Sequence, residues 1–220
     1  MHKQILTKPV LIILYGFPGS GKTFFSRQFS EEIGAATINS DMLRYEFFEN
    51  PVYNREEDEV VEHLSLFMAS QFLHAGMSVV YDASALRQSQ RRILKDIANR
   101  VKAEVIIVWL QIDVESAFNR VIQRDRRKAD DKYNRQLDRT TFEDEINKMQ
   151  NPVLNEDYVV ISGKHNFITH KNAVMKKLYE KALLSEETAG SKLVKPGLVN
   201  RIPNIMGGRV DTTRRNISIR

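Results

Sequence analysis

The chain has 220 residues, 42% of them apolar, and no cysteine. It is long enough for one α/β domain with a real core, while disulfides, cysteine nucleophiles and cysteine metal sites are excluded, and the absence of a signal-like start or a membrane-length apolar run predicts a soluble, cytoplasmic protein with no membrane partner. The formal charge of +5 is carried by the tail: seven Lys or Arg stand against one Asp from Ala189 onward, so residues 1–188 sum to −1 and total basicity says little about nucleic acid.

In chain order, an apolar run over residues 10–14 predicts a buried strand, followed at once by Gly16-Phe17-Pro18-Gly19-Ser20-Gly21-Lys22-Thr23 and a segment of helical spacing. The octet fits a Gly, four free positions, Gly-Lys and Ser or Thr. Glycines without Cβ let the backbone turn its N–H groups toward an anion, and the helix starting near Lys22 adds unpaired amides and the positive end of its dipole. Gly16, Gly19, Ser20, Gly21, Lys22 and Thr23 are therefore expected to cradle a triphosphate, with Lys22 reaching the β and γ phosphates and Thr23 ligating magnesium. That helix is expected to end near Gly34.

Residues 35–38 predict a second strand, running into Asn39-Ser40-Asp41-Met42-Leu43-Arg44, where Ser40 or Asp41 can cap a helix. Asp41 and Arg44 lie one helical turn apart, a base toward a hydroxyl proton beside a cation for an anionic substrate group. Residues 45–75 predict helical material with the aromatics Tyr45, Phe47, Phe48 and Tyr53, a helix starting at the acidic run 56–59, and His63 and His74 as ordinary helix residues. Residues 77–81 predict a third strand ended by Asp82, a candidate to hold magnesium directly or through water; Ser84 and Arg87 are candidates to face the transferred phosphate.

A helix is expected over 87–100, a buried strand over 103–110, and an Asp113-capped helix carrying Arg120 and Arg124 on one face. Residues 120–139 hold eight basic and four acidic side chains and suit a lid closing over ATP. Arg120 and Arg124 are expected to reach inward, with Arg126 and Arg127 competing and Arg126 assigned to the nucleotide. A helix around 142–149, a fifth strand over 159–161 and a last helix over 171–184 complete the pattern. Residues 186–220 read as a basic, flexible or surface-docked tail after a domain spanning 1–185, with arginines such as Arg201 and Arg209 available to a polyanion.

The stretches GFPGSGKT at 16–23, DMLR at 41–44, YDAS at 81–84 and RVIQRDRR at 120–127 resemble the P-loop kinase group of 5′-hydroxyl polynucleotide kinases, zeta toxins and related small phosphotransferases. The resemblance covers residues 9–184 and implies a three-layer α/β P-loop NTPase fold with a mostly five-stranded parallel sheet and a kinase-like helical lid. It implies ATP and Mg2+ as cofactors, Asp41 as general base, Arg44 on a neighbouring substrate phosphate and the lid arginines on ATP phosphates. The expected activity is transfer of the γ-phosphoryl group to an alcohol, with an RNA or DNA 5′-hydroxyl end as preferred acceptor. A small-metabolite kinase for a nucleoside, sugar or nucleotide-sugar is the alternative. A nucleotide-dependent regulatory ATPase is the alternative of another class.

Overall fold

The computed structural model describes residues 6–125, 127, 132–164 and 166–184. Five strands form one parallel sheet: β1 (Val10–Tyr15), β2 (Ala36–Asn39), β3 (Val79–Asp82), β4 (Glu104–Gln111) and β5 (Tyr158–Ser162), in the order β2-β3-β1-β4-β5. The central β1 is buried along its whole length, which is why it reads as a continuous apolar run rather than an alternation.

Its side chains still divide by the two-residue period of a strand. Val10, Ile12 and Leu14 face α1 (Lys22–Ile33) and α7 (Phe167–Glu180), meeting Phe25, Phe29, Val174 and Leu178. Leu11, Ile13 and Tyr15 face α3 (Arg55–His74) and α4 (Gln88–Arg100), meeting Val61, Leu73, Leu94 and Ala98. Each fully buried side chain of this kind contributes about 1.5–3 kcal/mol. The outcome is the three-layer α/β P-loop NTPase fold with its five-stranded parallel sheet. No helix among the described residues is long and apolar enough to cross a membrane.

The helical lid has a small core of its own. Ile112, Ala117, Val121 and Phe142 come together from the β4 exit, α5 (Val114–Ile122) and α6 (Arg139–Asn147), with Phe17 of the glycine-rich turn packed against them. A Cβ on Gly19 would collide with the carbonyl oxygen of Ala117, and Gly19 has φ +82, so the turn meets the lid base at a place where only glycine fits. Asp113 caps α5 as expected, accepting from Ser116 N at 2.9 Å.

Three expectations need adjusting. The second strand runs one residue further, so Asn39, not Ser40 or Asp41, caps α2 (Ser40–Phe47), its Oδ1 accepting from Met42 N at 2.7 Å. The third strand starts at Val79, two residues later than expected, and Asp82 ends it. The final helix starts at Phe167, where Asn166 caps it, and ends at Glu180, about a turn earlier than apolar spacing suggests. The expected domain limit at 185 and the tail 186–220 lie outside the described residues.

Arg91, on the helix expected over 87–100, is buried. Its guanidinium takes both oxygens of Glu156, at 2.7 and 3.0 Å, donates to the carbonyls of Ala85 and Leu86, and lies 5.2 Å from the Tyr15 ring centroid. Removing one partner of such a pair leaves an uncompensated charge. Glu156→Ala is expected to lose about 3 kcal/mol of unfolding free energy, and the double change Arg91→Met with Glu156→Leu to lose less, as read from urea unfolding midpoints.

Candidate active site

The site is built on the carboxyl ends of β1, β2 and β3. Between β1 and α1 the chain passes through Gly16, Gly19 and Gly21 at φ 153, 82 and 97. A Cβ on Gly16 would sit 2.5 Å from the carbonyl oxygen of Leu110, whereas one on Gly21 would meet nothing within 4 Å. The turn thus presses on β4 on one side and keeps its other side open. The first turn of α1 has no side-chain cap and no acidic residue, leaving its amide donors to an anion. Ser20 is buried, and its Oγ has no hydrogen-bond partner among the described residues.

Lys22 Nζ donates to the carbonyls of Gly16 and Phe17, both at 2.9 Å. Burial pushes the Lys22 ammonium pKa below its ordinary value, opposed by the charge of Asp82. The β2–β3 register sets Asn39 beside Asp82, and Asn39 Nδ2 donates to Asp82 Oδ2 at 2.7 Å. Thr23 also hydrogen-bonds the Asp82 carboxylate, which burial nevertheless holds above the usual range. Asn39 therefore does two jobs, starting α2 with its oxygen and orienting Asp82 with its nitrogen. Sequence reading missed it, although an Asn directly before a helix start is a signal for the first job.

These groups fit a magnesium–nucleotide pair. A hard cation takes oxygen ligands, and Thr23 Oγ1 and the Asp82 carboxylate converge beside the open cradle. Among the described residues no three His, Cys, Asp or Glu side chains cluster as a self-sufficient metal site, so phosphate oxygens and waters would complete such a shell. Asp41, the first acidic residue of α2, has its pKa raised to about 6, first by burial and then by the Asp82 charge, against Arg124, Lys22 and Arg44.

The lid arginines meet the cradle. A cleft of about 310 Å³ is lined by Gly21, Lys22, Thr23, Arg120, Arg124 and Asn134. Arg120 Nη1 donates to the Gly163 carbonyl and Arg124 Nη1 to the Arg135 carbonyl, each at 2.9 Å. Arg127 lies exposed beside Asp125, and Arg126 is outside the described residues. A second cleft of about 540 Å³, lined by Trp109, Met149 and Val160, lies beyond Phe17 on the β4–β5 side and holds none of these charges. Ser84 and Arg87 were candidates for the transferred phosphate; they serve the start of α4, where Gln90 bonds both Ser84 Oγ and the Arg87 N–H.

Arg44 departs most from expectation. It is buried, with Nη1 on Glu57 Oε2 at 2.8 Å, Nη2 on Asp58 Oδ1, and its Cζ 4.8 Å from the Tyr53 ring centroid. Burial disfavours the Glu57 charge, but the Val52 N–H, the Arg44 guanidinium and the Tyr53 N–H hold its carboxyl below the ordinary range. A guanidinium held by two carboxylates joins α2 to α3. The i, i+3 spacing from Asp41 could not reveal this, because the partners stand 13 and 14 residues away.

Known proteins resemble this chain in sequence or in fold. Over 120 residues the chain is 28% identical to an L-seryl-tRNA(Sec) kinase of Methanococcus maripaludis, covering 52% of this chain. It spans about half the length of that curated relative, 46%. Among solved structures it is similar to Chaetomium thermophilum Kti12 in complex with ADP-AlF3, with a TM-score of 0.60, 18% identity, and 77% and 97% of the two chains covered. A gluconokinase of Sinorhizobium meliloti gives a TM-score of 0.58, 18% identity, and 79% and 94% coverage. These solved structures share the fold. The sequence model described as an AAA domain matches residues 11–152, nearly two thirds of the length, and the chain belongs to that family.

Proposed function

We propose that the chain is an ATP-dependent kinase that moves the γ-phosphoryl group to the hydroxyl of a small molecule, with Asp41 receiving the hydroxyl proton. The observation that carries the reading is the meeting of Lys22, Asp41, Asp82 and Arg124 at one mouth of the sheet, each within electrostatic reach of the others. The acceptor oxygen forms a bond to the γ phosphorus as the bond to the bridging oxygen of ADP breaks. Lys22 and Arg124 offset the charge that develops on the phosphoryl oxygens. A magnesium ion held by Thr23 and Asp82 would supply further neutralisation of the β and γ phosphates. A carboxyl group with a pKa of about 6 is still mostly ionised at pH 7 and is a stronger base than an ordinary aspartate.

The state of Arg44 favours a small-molecule acceptor over a nucleic-acid 5′ end. Polynucleotide kinase chemistry, as the sequence resemblance implies it, asks Arg44 to hold a substrate phosphate, and here that side chain is paired with Glu57 and Asp58. The gluconokinase and zeta-toxin types of phosphotransferase fit the remaining groups. One observation keeps a second reading: the 28% identical relative is a seryl-tRNA kinase, and an alcohol carried on RNA would need neither a 5′ end nor Arg44.

The deciding experiment offers γ-labelled ATP and magnesium with a metabolite pool, seryl-tRNA, and 5′-hydroxyl RNA and DNA. Label in the metabolite pool is the expected result; label on seryl-tRNA selects the second reading. Label on oligonucleotide ends would return the acceptor to nucleic acid, and hydrolysis with no labelled acceptor would replace the kinase by an ATPase. Asp41→Asn is expected to keep nucleotide affinity within about threefold and to lose at least a hundredfold in transfer. Its stability moves the other way. Because folding raises the Asp41 pKa from 3.8 to about 6, stability from the protonated form is lost as pH rises through about 6. Without ligand or magnesium, Asp41→Asn should therefore melt above the wild type at pH 7.5, and the gap should narrow as pH falls through about 6 and close only below the unfolded value of 3.8.

A further inference from the structure

Tyr53 lies in the turn between α2 and α3 with φ 57, a left-handed conformation that a bulky side chain rarely adopts. Its N–H is held by Glu57 Oε2 at 2.8 Å, so the same carboxylate that pairs with Arg44 also fixes this turn. Two guanidiniums lie over its ring: Arg44 at 4.8 Å from α2, and Arg135 at 4.6 Å from the lid segment before α6. Beside this contact a lid aromatic, Tyr133, meets Tyr45 of α2 with ring centroids 5.9 Å apart and planes inclined by 50°. Lys132 lies 4.8 Å from the Tyr133 ring centroid. The lid thus touches the acceptor side of the site through two tyrosines that precede α3 and that sit near Asp41; the Asp41 charge acts on Tyr53.

The far side of the same lid segment leads to the phosphates. The Arg135 carbonyl accepts from Arg124 Nη1 at 2.9 Å, and Arg124 lines the cleft with Lys22 and Thr23. The backbone of Arg135 therefore holds Arg124 while its side chain rests on Tyr53. We infer that Tyr53 is a positioning residue, the seat on which Arg135 docks so that Arg124 is set over the phosphate cleft only when the lid is closed against the acceptor side.

This inference rests on the kinase reading for its catalytic consequence, since it makes transfer depend on contacts remote from the nucleotide. Binding of nucleotide to the cradle uses the turn and α1, which the Tyr53 contact does not touch. The seat acts on the transition state, where displacement of a charged group by an ångström is worth orders of magnitude in rate. It also closes the acceptor side to water, so its loss should shift the balance from transfer toward hydrolysis.

The test compares Tyr53→Leu, Arg135→Ala, their combination, and Tyr53→Phe, which keeps the ring. In the full-length protein, the two single variants are expected to lose about tenfold or more in kcat for transfer, with the nucleotide KM within about threefold. The combination should be no worse than the weaker single variant, because both remove one contact. Tyr53→Phe should stay within about threefold of wild type, and the ratio of transfer to hydrolysis should fall in the other three. A readout independent of any acceptor is tryptic cleavage in the arginine- and lysine-rich segment 124–135: a nonhydrolysable ATP analogue with magnesium should slow it in wild type and Tyr53→Phe, and not in Tyr53→Leu. Additive losses, a raised nucleotide KM with unchanged kcat, or equal nucleotide protection in Tyr53→Leu would overturn the seat. If no acceptor is phosphorylated by the wild type, the kinase reading falls, while the protection experiment still decides whether Tyr53 seats the lid.

Discussion

Asp82, which is buried, and Lys22 and Asp41, which are half-buried, meet at the carboxyl ends of three parallel strands, and the rest of the structure is arranged around that concentration of charge. Each alone would be unfavourable in a low-dielectric setting, and burial is the leading influence on all three titrations. Neighbours make the arrangement tolerable: Asn39 and Thr23 bond Asp82, backbone carbonyls hold Lys22, and Arg124 arrives from the lid. The two carboxylates repel one another, which keeps Asp41 basic while leaving it ionised at neutral pH. A site of this kind is poised for chemistry on a highly charged group rather than for stability.

The arginines show how one residue type is divided between structure and chemistry. Arg91 and Arg44 are both buried and both paired with carboxylates, the first tying α4 to the start of β5 and the second tying α2 to α3. Arg120 and Arg124 each donate to a backbone carbonyl, those of Gly163 and Arg135. This backbone anchoring sets both arginines at the cradle cleft. It also separates the lid arginines from Arg44, although all of them read alike as basic residues on helices.

The lid is mechanically distinct from the sheet because it has its own small core, joined to the glycine-rich turn through Phe17 and through the contact of Gly19 with α5. Its other attachment, by Tyr133 and Arg135, is to the α2–α3 corner. The lid is therefore attached at the glycine-rich turn on one side and at the α2–α3 corner on the other. For the proposed kinase, that geometry would let contacts at the α2–α3 corner place Arg124, through the Arg135 carbonyl, over the cleft.

The strands and the glycine-rich turn were legible in the sequence because their causes are local. A buried parallel strand must be apolar along its length, and a phosphate cradle needs glycines at fixed spacing before a helix. Residues 10–33 could be read almost to their ends, down to Gly34 as the helix stop, where φ is 65. Asp82 stood out as a charge closing an apolar strand, and Asp113 as a cap. The tertiary structure alone decided which groups these charges meet. Asn39 reaches Asp82 through the β2–β3 register, Arg44 is taken by Glu57 and Asp58 across a turn, and Arg135 finds Tyr53 across the mouth of the site. Pairings of that sort depend on where two separate elements come to lie, and neither residue type nor spacing along the chain encodes the distance between them.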